Sequence, residues 1–315
     1  MPGTRIAAMG HHQPSRVLSN ADLEQMVETS DDWIRQRTGI ATRRIAGAGE
    51  SVTDMAAAAA AKALAASGLA PAEIGLMTVA TCSAVDRCPS IAAQVAARLG
   101  IPSAVCFDLN NGCAGFTTAL ASADHAFRAG AARHALVVGA EKMSDVTDWS
   151  DRSTCVLLAD GAGAAVISSA EAAHEGIGCV VWGSDLTRGN AVRLQDSWQP
   201  KFAQEGQTVF RWATTELPAF AEEACRRAGI ATTDLAALVT HQANLRIIEA
   251  LTRRLALRDD VVIARDVVDS GNTSAASVPL AVQTRRARRG TSWRPRAAVQ
   301  LRRRLSWASQ VVACP

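Results

Sequence analysis

The chain has 315 residues, 48% of them hydrophobic and only 4% aromatic, which is enough to bury a substantial core as one large domain or two halves. Its eight cysteines include no Cys-x-x-Cys pair and no Cys/His cluster of zinc spacing, which points to a reduced cytoplasmic protein without a structural metal. No charged, apolar and cleavable series opens the chain, so no secretory leader is expected.

Taken in chain order, His11-His12 beside Gly10 and Pro14 reads as a solvated turn. Thr29-Ser30-Asp31-Asp32-Trp33-Ile34 opens a charged helix in which Trp33, by its residue type alone, is a half-buried packing residue. The alanine run Ala56 to Ala66 is interrupted by Lys62 and falls short of the roughly 20 residues a bilayer requires, so it reads as a buried helix and no membrane partner is expected. Val105-Cys106-Phe107-Asp108-Leu109 reads as a short buried strand, and Ala114 to Ala126 as a helix after a glycine-bearing turn. Cys113 thereby falls at a helix N-terminus. A cysteine between small residues is usually an inert hydrophobe, but free backbone N–H groups and the positive end of a helix dipole favour thiolate, which makes this one a candidate nucleophile.

A second set of elements repeats the first. Ala66-Ser67-Gly68-Leu69-Ala70-Pro71-Ala72-Glu73-Ile74 and Arg227-Ala228-Gly229-Ile230-Ala231-Thr232-Thr233-Asp234-Leu235 share a pattern of helix end, Gly, Ala, acid and aliphatic residue, each running into a strand. Ala93 to Leu99 and Ile247 to Leu255 are matching helices, each followed by a strand with an aspartate, Asp108 before Gly112-Cys113 and Asp266 before Gly271-Asn272. Cys113 and Asn272 thus occupy equivalent turns of two similar halves, residues 1–172 and 173–315. Half packed against half brings them together near His241, which closes the apolar run Leu235 to Thr240.

Residues 283–304 break the pattern, with nine arginines and no acid; the rest of the chain therefore carries −6 against the overall +3. Three readings stay open: compensating frameshifts in a GC-rich gene, consistent with thirty arginines against three lysines; a divergent segment; or a basic tail for nucleic acid. The first is preferred, and no nucleic-acid partner is expected. Leu305 to Val312 then reads as a closing strand.

These motifs resemble β-ketoacyl-acyl-carrier-protein synthase III, a thiolase-fold condensing enzyme, from Thr4 to Val282. The likeness rests on the Thr29–Ile34 stretch with Arg37-Thr38-Gly39-Ile40, on Cys113-Ala114-Gly115-Phe116, Asp160-Gly161-Ala162-Gly163-Ala164, His241-Gln242-Ala243-Asn244-Leu245-Arg246 and Gly271-Asn272-Thr273-Ser274-Ala275-Ala276-Ser277. It implies an α/β thiolase-like fold of duplicated half-domains in α-β-α-β-α layers, as a homodimer. It also implies a decarboxylative Claisen condensation of an acyl-CoA primer with malonyl-acyl-carrier protein, starting fatty acid or aromatic polyketide synthesis. Cys113 would carry the acyl group while His241 and Asn272 stabilise the enolate, with no metal and no bound cofactor, acyl-CoA being a substrate.

By the same resemblance Trp33 stacks on the CoA adenine with Arg152 on the other face, Arg37 neutralises CoA phosphate, Asn244 bonds the pantetheine arm and Arg246 docks the carrier protein. Two departures bear on the acyl pocket: Leu158-Ala159 stands where the family has Phe-Gly, and Cys88 replaces a bulky aromatic that lines the pocket across the dimer interface, leaving room for a longer or branched primer. The family pattern also calls for a helix, a turn, an apolar strand and a Gly-Phe-Gly-x-Gly-type loop over residues 283–304, and none is evident there in the sequence. An acyltransferase passing the primer to another nucleophile, or a non-catalytic relative with a damaged glycine loop, stays open as an alternative.

Overall fold

The computed structural model describes residues 3–86, 88–170, 176–194, 199–289 and 306–313. Its organising element is a five-stranded sheet in the order Gly3–His12, Asp160–Ala170, His134–Lys142, Leu76–Ala80, Val105–Leu109. The last three strands run parallel and the first two pairings are antiparallel.

Side chains alternate across a strand with period two, and here both faces are apolar. Leu76, Ala80, Ala135, Val137, Ala165 and Ile167 pack to one side; Met77, Val79, Leu136, Val138, Ala164 and Val166 pack to the other. A sheet with two apolar faces needs cover on both. The helix Val52–Ser67 covers the second face with Ala56, Ala59, Ala60 and Ala63, all fully buried, while Lys62 points outward. Alanine lets helix and sheet approach closely, and its Ser51 cap, with Asp54 returning the bond, fixes where the helix begins.

Two helices, Gly115–Arg128 and Ser277–Arg289, share the first face: Phe116, Ala119, Leu120 and Ala123 from one and Val278, Ala281 and Val282 from the other join a single cluster. Val239, Ala264, Ile177 and Val312 close that cluster from its far side. They belong to a second, smaller set of strands, in which Ala237–Leu238 pairs in parallel with Val262–Ile263 and Ile177 bridges Val312. Leu217, Ala221 and Ala224 of the helix Gly206–Arg227, with Ile247 and Leu251 of the helix Leu245–Arg254, cover its outer side. Helix, sheet, helix pair, strands, helix is the five-layer order of a thiolase-like α/β fold.

The order of elements from Val52 to Arg128 recurs from Gly206 to Arg289, with one short helix, Val267–Ser270, added in the second copy. Both copies end the first helix at a left-handed glycine, Gly68 (φ 72°) or Gly229 (φ 71°). In both, an acid then caps a short 3-10 turn: the carboxylate of Glu73 accepts from the Ala70 N–H at 2.7 Å, and that of Asp234 from the Ala231 N–H at 2.8 Å. The boundary at 172/173 lies outside the described residues.

Several expectations need correcting. Val105–Leu109 is a strand but not a buried one: it is the outer edge of the sheet, with Val105 65% and Phe107 37% exposed. His11 and His12 are not in a turn; they end the first strand, half-buried, with His12 Nε2 2.7 Å from Glu50 Oε1. Asp266 follows its strand and does not lie in it. The helix that begins at Ser277 runs to Arg289, so the arginine run opens on a regular helix, contrary to the expectation that no helix would appear there; residues 290–304 lie outside the described residues. The closing strand is Ser306–Ser309, antiparallel to Val181–Ser184.

Two glycines permit the approach of the halves. A Cβ on Gly115 would lie 2.9 Å from Ala80 Cβ and 3.3 Å from Ala275 Cβ, and one on Gly139 would lie 2.5 Å from the Ala275 carbonyl oxygen. Gly139→Ala is therefore expected to push the Ser274–Ala276 turn aside and destabilise the fold by about 1–3 kcal/mol, seen as a lower denaturation midpoint.

Candidate active site

Cys113 sits in the 3-10 turn Gly112–Ala114, immediately before the helix Gly115–Arg128. The turn is locally determined: Asn110 Oδ1 accepts from the Gly112 N–H at 3.1 Å, Gly112 takes φ 47°, and Asn111 Nδ2 donates to Thr118 Oγ1 at 2.9 Å. The thiol is buried and sits against the first turn of a helix, where unpaired backbone N–H groups favour an anion.

His241 follows the strand Ala237–Leu238 and is also buried. Its Nδ1 lies 2.7 Å from Ser277 Oγ, and Ser277 Oγ also accepts the Gln242 N–H at 3.3 Å. With one lone pair so engaged, the Ser277 hydroxyl hydrogen is free to point at Nδ1, the arrangement that puts the imidazole proton on Nε2. That Nε2 is buried with no hydrogen-bond partner. Such an atom costs about 1–3 kcal/mol unless a ligand satisfies it.

Asn272 is buried and its backbone is held on both sides, donating to the Leu157 carbonyl at 2.9 Å and accepting from the Ala159 N–H at 3.0 Å. Its Oδ1 accepts the Ser274 N–H at 3.0 Å, which orients the amide so that Nδ2 is the group left to donate. Ser274 holds φ 45°, a left-handed conformation rare for serine and typical of sites where backbone strain is retained for geometry. Beneath this turn the stem of Arg43 packs on Gly271. Its guanidinium is fully buried, donates to Asn20 Oδ1 and the Val156 carbonyl, and is drawn down to about 10 chiefly by burial.

The nucleophile turn and the Asn272 turn meet through Ala275, against Gly115 on one side and Gly139 on the other. His241 is tied by Ser277 to the helix Ser277–Arg289, which follows the Asn272 turn. Gln242 was not singled out by sequence reasoning, yet its side chain donates to the Thr240 carbonyl at 2.8 Å and accepts from the Val267 N–H at 3.1 Å, linking the His241 loop to the Asn272 segment. Ser277 was quoted only as part of a motif. The available signal for both was that a histidine donor needs a partner on its other nitrogen, sought among nearby hydroxyls and amides.

The outer residues are arranged as follows. The Arg37 and Arg152 guanidinium carbons lie 4.7 Å and 5.0 Å from the Trp33 ring centroid, a cation–π geometry; Arg152 also donates to the Glu28 carbonyl at 2.9 Å. Asn244 caps the helix Leu245–Arg254, its Oδ1 accepting from the Ile247 N–H at 3.1 Å, so only its Nδ2 remains to donate to a ligand. Arg246 is exposed, 5.5 Å above the Phe210 ring. Leu158 is buried beside Asn272, to which its backbone is bridged, and packs with Ile34, Met143 and Ile248. Cys88 is exposed on the surface. Among the described residues no His/Cys/Asp/Glu group suited to a metal ion occurs, none of the described cysteines is in a disulfide, and no helix is long and apolar enough to cross a membrane.

Comparison with known proteins agrees with the geometry. Residues 107–186 match the model of 3-oxoacyl-[acyl-carrier-protein (ACP)] synthase III, and residues 225–294 match that family's C-terminal model. The chain is 58% identical over 316 residues to beta-ketoacyl-[acyl-carrier-protein] synthase III 4 of Streptomyces coelicolor, covering 99% of each chain. It is also 58% identical over 318 residues to synthase III 2 of Streptomyces avermitilis, covering 100% of each. Among solved structures, a priming β-ketosynthase of a polyketide biosynthetic pathway superposes with TM-score 0.94 at 39% identity, covering 99% of this chain and 96% of that one. The synthase III of Aquifex aeolicus gives 0.92 at 35%, covering 99% and 100%. A likeness that spans the whole chain at 58% identity, with both family models matched, places this protein in the β-ketoacyl-acyl-carrier-protein synthase III family.

Proposed function

We propose that the chain condenses an acyl-CoA primer with malonyl-acyl-carrier protein, Cys113 carrying the acyl group and His241 and Asn272 stabilising the enolate. The observation that carries this reading is the buried, unpartnered Nε2 of His241, a donor built to meet an oxygen that only the substrate supplies.

In the first half-reaction the Cys113 thiolate attacks the thioester carbonyl, the tetrahedral intermediate collapses, and CoA leaves as its thiolate. In the second, loss of CO2 from the malonyl group leaves its two bonding electrons on the α-carbon and, by delocalisation, on the thioester oxygen. The His241 Nε2–H and the Asn272 Nδ2–H stabilise that oxygen as its charge develops. The α-carbon then attacks the acyl-cysteine, and Cys113 departs as thiolate from the 3-ketoacyl product. These groups supply the nucleophile and the donors by themselves, so the reaction so written uses no bound cofactor.

The deciding experiment supplies malonyl-carrier protein to acylated enzyme and follows CO2. Stoichiometric release with a 3-ketoacyl product supports condensation; transfer of the primer without CO2 makes the chain a simple acyltransferase, and neither product makes it a non-catalytic relative.

The cofactor-side roles rest on the same reading. An adenine seated on the Trp33 indole requires one guanidinium to move outward, since each stacked layer adds about 3.5–4 Å; Arg152, held by only one exposed hydrogen bond at that site, is the one assigned to open. Arg37 faces CoA phosphate, Asn244 Nδ2 the pantetheine arm, and Arg246 the acidic carrier protein. A cytoplasmic location fits CoA and carrier-protein substrates.

A homodimer is supported by the edge strand Val105–Leu109. An edge with no strand beyond it among the described residues, presenting Val105 and Phe107, invites pairing that a second copy satisfies. Cys88, exposed in one chain, then faces the partner's acyl channel. Cys88→Phe is expected to lower the ratio of kcat/KM for a four- to six-carbon primer over acetyl-CoA by about tenfold, because overfilling a packed site costs about 1–3 kcal/mol; an unchanged ratio removes Cys88 from the channel.

A further inference from the structure

One buried charge belongs to none of the roles above. Glu141, on the strand His134–Lys142, is fully buried, and every group it meets is a donor. Its Oε2 accepts from Thr81 Oγ1 at 3.2 Å, from the Cys82 and Ser83 N–H groups at 3.0 Å each, and from the Ser83 hydroxyl. Its Oε1 accepts from the Cys82 thiol at 3.3 Å and from the Ala275 N–H at 3.4 Å. A shell of donors favours the anionic form of a carboxyl.

The two oxygens do different things. Oε2 gathers the loop that follows the strand Leu76–Ala80, whereas Oε1 reaches across to the turn of the other half. Ser274, beside Ala275, has its hydroxyl 3.7 Å from Cys82 Sγ; since the thiol donates to Glu141, the serine hydroxyl is the donor to sulfur. Ser274 and Ala275 are thus both tied to Oε1, one through Cys82 and one directly. Ser274 in turn presents its N–H to Asn272 Oδ1 while holding a positive φ.

We propose that Glu141 is a positioning residue for condensation, orienting the Asn272 amide through the Ser274–Ala275 turn. The carboxylate holds the strained turn, the turn fixes the Ser274 N–H, and that N–H directs the Asn272 Nδ2 donor at the enolate. This proposal rests on the reading of Cys113 as the acylated nucleophile and of Asn272 as an enolate donor. It goes beyond that reading in assigning the orientation of the donor to a residue that touches no substrate. Burial raises the Glu141 carboxyl above its ordinary range, and the nearby Cys113 adds to that; the donor shell opposes the rise.

Glu141→Gln separates the two arms. The amide oxygen takes the side of Oε2, where four donors converge, which leaves the new NH2 facing the Cys82 thiol and the Ala275 N–H as a donor against donors. Glu141→Asp keeps the charge but withdraws it by one methylene from Ala275. In each variant the acyl-Cys113 sites formed by acyl-CoA are counted by intact-protein mass spectrometry, and single-turnover condensation is then measured per acylated site. Unfolded chains are left out by that count.

The expected result is that kcat per acylated site falls about 10- to 100-fold in both variants, with KM for malonyl-carrier protein within about twofold of the parent and acylation preserved. A role confined to holding the fold together lowers the number of sites and leaves the rate per site unchanged, and that outcome overturns the proposal. Parent enzyme that forms no Cys113 adduct removes the nucleophile reading, and this proposal with it. Parent enzyme that condenses normally while Glu141→Gln and Glu141→Asp match it per site leaves the nucleophile intact and refutes Glu141 alone.

Discussion

Cys113→Ala is expected to abolish the acyl-enzyme adduct and to reduce condensation by on the order of 10⁴- to 10⁶-fold, the scale on which loss of a covalent nucleophile acts. Intact-protein mass spectrometry after exposure to acyl-CoA should show one adduct in the parent and none in the variant. Three of the other thiols are poor competitors. Burial pushes Cys155 and Cys225 up to about 11, and Cys82 is driven well above the usual thiol range by burial, by Glu141 and by Cys113 itself, so these stay protonated at neutral pH. A protonated thiol is a poor nucleophile. Cys113 alone combines burial at the site with the N-terminal end of a helix. Because His241 and Asn272 are untouched in Cys113→Ala, malonyl-carrier protein should still lose CO2 slowly without forming a carbon–carbon bond. An adduct that persists in the variant would place the nucleophile elsewhere.

The sequence carried the repeat and the turn at Cys113 because each depends on local patterns: a glycine after a helix, an acid three residues into a turn, an apolar run. Where the pattern is the same for two environments, it misled. Val105-Cys106-Phe107-Asp108-Leu109 reads as buried, but among the described residues its outer side has no neighbouring strand, and nothing in five residues tells an edge from a centre. His11-His12 reads as a turn because Gly10 and Pro14 flank it, yet antiparallel pairing with Ala162 and Gly163 carries the strand through both. Ser277 and Glu141 were invisible for another reason. Their partners lie 36 residues away for the serine, within the C-terminal half, and 134 away, at Ala275 in the other half, for the glutamate, separations that only tertiary packing removes. The arginine run showed a third limit: its composition obscured the helix that Val278, Ala281 and Val282 anchor in the core and that continues to Arg289.

Asn272→Ala is expected to separate the half-reactions. The variant should accept the acyl group on Cys113 at close to the parental rate, because the thiol's placement depends on the Gly112–Ala114 turn and the helix after it. Condensation should fall about 10²- to 10³-fold, the range found on removing one donor to a developing oxyanion. The geometry limits collateral damage. Asn272 is fixed by backbone bonds to Leu157 and Ala159, which alanine retains, whereas the Ser274 N–H loses its acceptor at a cost of about 1–3 kcal/mol in stability. That cost should appear as a lower denaturation midpoint with full acylation, while the kinetic loss appears in the rate of CO2 release from the acylated enzyme. Release at the parental rate would remove Asn272 from the enolate site and leave His241 as its donor; a loss of acylation equal to the loss of condensation would mean that the asparagine holds the nucleophile rather than the enolate.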